Sequence, residues 1–192
     1  VEEIITSPVS ARIVEVYRRS GDSVEAGTPL LKLDLQSTET EYHKQLDEER
    51  MKQLQLDQLR MNNETYLGDL AMKVKVQAMK VGRMEADLRN ERYLDSLGSG
   101  TTDRVRQAEL AYNTGCLELE QLRQQYANEQ KVKEADLKVK QLELDIFRKS
   151  LSEPRRTLED AQLRSPRKAI LTSINTQVGS QVASGSQVAV VS

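Results

Sequence analysis

Apolar positions follow two different rhythms along this chain. Near both ends they form short β-branched runs bounded by Gly, Ser or Pro: ARIVEV from residue 11, LLKLD from 30, AILTSI from 169 and QVAVVS from 187. Such runs predict strands. Between them, stretches such as QLDEERMKQLQLDQLRM and EQKVKEADLKVKQLELDIFRKSL are built from Gln, Glu, Lys, Leu, Arg, Met and Ala, all strong helix formers. No proline falls between residues 30 and 153. The chain therefore reads as β at both termini and helix between.

The helical stretch has one clear break, SLGSGTTD at residues 96–103. Gly98 and Gly100 offer left-handed backbone positions that stop a helix. Thr101 or Thr102 can cap the next one, with Asp103 where the helix dipole favours an anion. Residues 35–97 and 102–164 have equal length, 63 residues each. Two equal arms about a Gly-rich turn predict an antiparallel hairpin, each arm roughly 95 Å long at ~1.5 Å per residue.

In the first arm, Leu56, Leu59, Asn63, Leu67, Leu70, Val74, Gln77, Val81, Met84 and Leu88 keep spacings of three and four. Two fours in succession around Asn63 and Leu67 read as a stutter. The second arm carries two stripes. Val132, Ala135, Val139, Leu142 and Ile146 form an a/d seam expected to pack on the first arm. Leu137, Leu144, Leu151 and Leu158, seven apart on the opposite face, suggest a further neighbour such as a second copy. Pro154 predicts a kink or short break.

The β ends are one motif written twice. At an offset of 158, Ser7 falls on Ser165, Pro8 on Pro166, Ala11 on Ala169, Gly21 on Gly179, Val24 on Val182 and Gly27 on Gly185. The apolar pairs Ile13/Leu171, Val16/Ile174, Leu30/Val188 and Leu33/Val191 hold the same register. Neither half, at about 30 residues, can bury enough surface to fold alone. The expected fold is α+β: a long antiparallel coiled-coil hairpin (35–164, tip at 96–103) inserted between two halves (1–34 and 165–192) of one small β-sandwich or barrel.

SPVSARIVEVYRRSGDSVEAGTPLLKLD resembles the first half of a lipoyl/biotinyl-type domain, and LRSPRKAILTSINTQVGSQVASGSQVAVV resembles the second. Lipoyl halves split by a coiled-coil hairpin resemble the periplasmic adaptor, or membrane fusion, proteins of the HlyD family, over essentially the whole chain. The glycine usual after S-P-x-x is Ala11 in one half and Ala169 in the other. The resemblance implies an adaptor of a tripartite efflux or secretion system, type I secretion included. It would link an inner-membrane transporter to a TolC-like outer-membrane channel in the Gram-negative periplasm. Long arms lean toward ABC or MFS transporters. The resemblance further implies side-by-side self-association, often as a hexameric ring, and an inner-membrane anchor and β-barrel region in a longer protein.

The family's tip pattern maps onto Arg92, Tyr93 and Leu97, with Gly98, Ser99, Gly100, Thr101, Thr102 and Asp103 forming the turn, though no Ser occupies the family's capping position. An exposed apolar side chain beside a guanidinium at a helix end makes a compact recognition patch.

Composition narrows the function further. Aromatics are 4% and charged residues 30%, which argues against a thick core packed around large side chains. The formal charge of −2 gives no footprint for nucleic acid or an anionic membrane. No apolar run is long enough to span a bilayer. No charged-then-apolar leader opens the sequence, so a targeting signal is absent, removed or outside it. One Cys excludes an internal disulfide framework. His43 lies among Glu39, Glu41 and Asp47, but a metal site needs several ligands in fixed geometry. Cys116 has no second His to activate it. The coiled coil replaces the hairpin that would bear a lipoyl lysine, so Lys32 and Lys168 are poor attachment sites. No cofactor, metal or catalytic residue is expected, and the chain is not expected to be an enzyme. Two other readings remain, a coiled-coil scaffold with a β head and a cofactor-carrier domain. The repeat at offset 158 disfavours the scaffold.

Overall fold

The computed structural model describes all 192 residues. The first half supplies four strands: β1 Glu3–Thr6, β2 Ala11–Val16, β3 Ser23–Val24 and β4 Pro29–Asp34. The helices are α1 Gln36–Ser96, α2 Thr102–Ser150 and α3 Ser152–Glu159. The second half adds β5 Gln162–Arg164, β6 Ala169–Ile174, β7 Gln181–Val182 and β8 Gln187–Val191. The chain divides into two units: residues 1–51 with 144–192, and residues 52–143.

In the first unit the strands form two four-stranded sheets, ordered β1-β8-β6-β3 and β5-β4-β2-β7. Shifting the first half by 158 residues superposes β2 on β6 and β3 on β7, and turns one sheet order into the other. Each half donates its short strand to the other's sheet: β3 pairs with β6, and β7 with β2. The turns repeat in kind. Gly21 N–H donates to the Leu171 carbonyl and Gly179 N–H to that of Ile13, both at 2.7 Å. Gly27 N–H donates to Ser165 at 2.8 Å and Gly185 N–H to Ser7 at 2.7 Å. All four glycines have φ between 80° and 96°, a region that L side chains avoid. Ala11, Ile13, Val24, Leu30, Leu31 and Leu33 meet their counterparts Ala169, Leu171, Val182, Val188, Ala189 and Val191 in one buried core. Alanine at positions 11 and 169 is thus part of that core. The two lysines considered as attachment points lie in ordinary places. Lys32 is within β4, paired with Gln162, and Lys168 forms an ion pair with Glu25 at 3.6 Å.

The hairpin's roots also lie in this unit. Leu35 caps α1, its carbonyl accepting from Glu39 N–H at 2.8 Å, while Asp34 Oδ1 accepts from Gln36 N–H at 3.1 Å. The second arm breaks at Leu151. Pro154 has no N–H to give the Ser150 carbonyl, so α2 ends there and α3 restarts with Pro154 in its first turn. The arm then ends at Glu159, short of the expected residue 164. Gln162–Arg164 instead form β5, paired with β4 as the counterpart of β1.

In the second unit the seam of α1 falls where the spacing predicts. Leu56, Asn63, Leu70 and Gln77 are buried at intervals of seven, followed by Leu88 after eleven. Half-buried Leu59, Leu67, Val74, Val81 and Met84 fill these intervals, so the two successive fours fall at Leu59–Asn63–Leu67, the stutter that the spacing predicts. Two polar seam residues reach across to α2. Asn63 Nδ2 donates to the Lys133 carbonyl at 3.4 Å, and Gln77 Nε2 donates to the Gly115 carbonyl at 3.1 Å and Glu118 Oε2 at 3.3 Å. A Cβ on Gly115 would lie 2.7 Å from Met84 Sδ, so the arms approach closely there.

The stripes of the second arm are assigned the other way round from the sequence expectation. Leu144 and Leu151 are buried and Leu137 and Leu158 half-buried, whereas Val132, Ala135, Val139, Leu142 and Ile146 are exposed. The cause is phase. From Gly115 and Leu119 the buried and half-buried positions step by threes and fours through Leu122, Tyr126, Glu129 and Lys133 to Leu137. The seam therefore continues through two charged residues and reaches the leucines. The outer side of α1 carries its own exposed stripe, Leu54, Met61, Met72, Val76 and Met79. Most of these lie two residues from a seam residue, about 200° round the helix.

Candidate functional site

The end of α1 closes as a Schellman motif. Gly98 takes φ 73°, Ser99 N–H donates to the Leu94 carbonyl and Gly98 N–H to that of Asp95, both at 3.0 Å. Gly100 is needed for space: a Cβ there would lie 2.9 Å from the Asp95 backbone nitrogen. Thr101 is the N-cap of α2, with Oγ1 accepting from Arg104 N–H at 3.2 Å and its carbonyl from Val105 N–H at 3.3 Å. It performs the capping expected of a Ser, one position before Thr102. Asp103 follows in the first turn and accepts from Gln107 Nε2 at 3.4 Å.

This well-capped turn presents two large apolar side chains to solvent, Tyr93 (62% exposed) and Leu97 (60%). Neither side chain takes part in the hydrogen bonds that close the turn. Arg92 is not free as the sequence suggests. Its Nη2 meets Glu109 Oε1 at 2.8 Å, tying the arms together one turn below the tip. Ser99 and Thr102 lie on the exposed surface of the turn.

One feature of this end was not legible in the sequence. An open groove of about 420 Å³ runs between the arms, lined by Met84, Asp87, Asn90, Glu91, Arg104 and Gln107 with two alanines. Glu91 Oε2 is buried there with no hydrogen-bond partner. The signal was an acid at a seam position, three residues past Leu88, but its meaning depends on what α2 places opposite.

Elsewhere the chemistry is sparse. His43 Nε2 stands 3.7 Å from Glu39 Oε1 on the exposed start of α1. No group of three or more His, Cys, Asp and Glu side chains has metal-holding geometry. Cys116 is half-buried beside Tyr112, whose phenol is raised above its ordinary value by its hydrogen bond with that thiol and by the nearby Glu85 carboxylate. No helix is long and apolar enough to cross a membrane.

No family model and no curated protein sequence matches the chain. Solved structures do. The soluble domain of LipC, a membrane fusion protein of a type I secretion system, matches with a TM-score of 0.53 at 14% identity, covering 100% of this chain and 99% of that one. The periplasmic adaptor protein EmrA matches with a TM-score of 0.46 at 16% identity, over 100% of this chain and 71% of that one. MacA from Actinobacillus actinomycetemcomitans gives 0.36 at 13% identity, over 98% and 47%. The LipC match, complete over both chains, fixes the architecture: this chain has the fold of a membrane fusion protein's soluble domain, lipoyl-type halves split by a helical hairpin.

Proposed function

We propose that the chain is the soluble core of a periplasmic adaptor that links an inner-membrane transporter, of ABC or MFS type, to a TolC-like outer-membrane channel. In this reading it is anchored to the inner membrane within its full-length protein and stands side by side with further copies, six to a ring. The hairpin tip is the channel-binding element: Tyr93 and Leu97 make apolar contact, and Gly98, Ser99, Gly100, Thr101, Thr102 and Asp103 hold the turn that presents them. Arg92 braces the arms below. Glu91, with its unpartnered oxygen, offers a seat for a basic or amide side chain of the channel.

The observation that carries this reading is the tip itself. Two large apolar side chains stand exposed on a turn that is hydrogen-bonded without them, which a mere helix connection does not need. The test is export by the full-length protein carrying Tyr93→Ser and Leu97→Ser. Export should be lost while circular dichroism and thermal unfolding stay unchanged. Undiminished export would remove the tip from the mechanism.

A further inference from the structure

The outer edges of the distal hairpin are apolar on both sides and opposite in charge. On α1, Met72, Val76 and Met79 (75% exposed) face away from the seam. Between Met72 and Met84 every charged residue is basic: Lys73, Lys75, Lys80 and Arg83. The Gln77–Gly115 hydrogen bond fixes which part of α2 lies at this height. There Leu110 and Leu117 (67% exposed) face outward. Between Gln107 and Leu122 every charged residue is acidic: Glu109, Glu118 and Glu120.

This complementarity is not used up inside the hairpin. Arg92 engages Glu109 and Gln77 engages Glu118, but none of the four cations from Lys73 to Arg83 forms an ion pair within the chain. The next band toward the root reverses the signs. Glu64 and Asp69 are the only charges on α1 between Met61 and Met72. At the height set by the Asn63–Lys133 contact, the exposed charges of α2 between residues 121 and 133 are Arg123 and Lys131, while Glu129 and Lys133 lie in the seam, Lys133 over the Tyr66 ring.

We propose that these edges are the two halves of one head-to-tail interface: the α1 edge of one copy docks on the α2 edge of the next, with both hairpins pointing the same way. Counting from the Gln77–Gly115 register, Met79 falls between Leu110 and Leu117 of the neighbour, and Val76 falls beside Leu117. Like-edge pairing is disfavoured. An α1–α1 contact sets the cationic band against itself, and an α2–α2 contact does the same with the acids. Only the unlike pairing joins apolar stripe to apolar stripe and opposite charge to opposite charge. Because its two patches differ, the contact is heterologous and can repeat from copy to copy. The inference deepens the side-by-side assembly of the adaptor reading and rests on it, but its test does not require the channel.

Two variants, each also carrying Cys116→Ser, are made in this chain: Val76→Cys and Leu117→Cys. They are mixed at high concentration and treated with a short bismaleimide. Heterodimers should exceed either homodimer several-fold. Lys75→Glu with Lys80→Glu in the Val76→Cys protein should cut the heterodimer about tenfold, and high salt should also lower it. Adding Leu97→Ser should leave cross-linking unchanged, which separates this surface from the tip. Equal homodimer and heterodimer yields would overturn the proposal. So would yields indifferent to charge reversal, or no cross-link although dye labelling shows both thiols reactive.

Discussion

Gly115→Ala sets two effects of opposite sign against each other, and a double-mutant cycle resolves them. In a helix interior, alanine is favoured over glycine by about 1 kcal/mol. At this position, however, the new Cβ would sit 2.7 Å from Met84 Sδ, while its 3.5 Å approach to Val81 Cγ2 is ordinary contact. Displacing the half-buried Met84 thioether from the crossing costs about 2 kcal/mol. The single substitution should therefore destabilise the chain by about 1 kcal/mol. In a Met84→Ala background the obstruction is gone, and the same substitution should stabilise by about 1 kcal/mol. The coupling between the positions is then about 2 kcal/mol, well beyond what independent sites show. The assay is urea unfolding of all four proteins, followed by helical circular dichroism with a common slope. If Gly115→Ala stabilises the wild type as much as it does the Met84→Ala protein, Met84 swings aside freely. The close approach would then play no part in holding the arms together.

Four further outcomes can be checked. Gln77→Leu should raise stability by about 1 kcal/mol in the same assay, because the Gly115 carbonyl keeps its place in the α2 ladder while an apolar group enters the seam; a loss of similar size would show the cross-arm bond to be net stabilising. Ile13→Ala and Leu171→Ala occupy equivalent places in the core and should each cost about 2–5 kcal/mol in urea unfolding, with similar values. Pro154→Ala restores an N–H facing the Ser150 carbonyl, so amide exchange around Leu151 should slow if the break is proline's doing. Arg92→Ala removes a half-exposed ion pair and should change stability by less than about 1 kcal/mol; a large fall in export with unchanged melting would then assign Arg92 to the channel contact.

Much of the fold was readable because local chemistry and the repeat agreed. The runs at 11–16 and 169–174 are strands β2 and β6 to the residue, and Gly98 and Thr101 bound the turn as their backbone preferences require. β5 was not readable. Its three residues, Gln162, Leu163 and Arg164, carry no β-branched side chain, and they become a strand because β4 offers an edge and the pseudo-symmetry demands a counterpart to β1. The stripes of the second arm failed for a different reason. Counting apolar residues favours Val132–Ile146, but phase is inherited from the close approach at Gly115, which carries the seam through Glu129 and Lys133. The same dependence hid the Arg92–Glu109 pair and the Glu91 groove, since both need the cross-arm register that the Gln77–Gly115 bond supplies.

The exchange of β3 and β7 between the sheets also sets an order of events during synthesis. When the first half leaves the ribosome, β2 lacks β7 and β3 lacks β6, so its apolar residues have nowhere to close until residues 169–191 arrive. Joining the halves across a flexible loop of roughly 130 residues would cost about 4 kcal/mol in closure entropy. Helical contacts that zip outward from the Gly98 turn are local at every step and carry that cost in small increments. The backbone bond from Leu33 N–H to the Ala161 carbonyl, at 2.8 Å, spans the chain where both arms return to the sheets. A chain with a misregistered hairpin delivers its two halves out of step and leaves two open edges, a state that quality control can recognise.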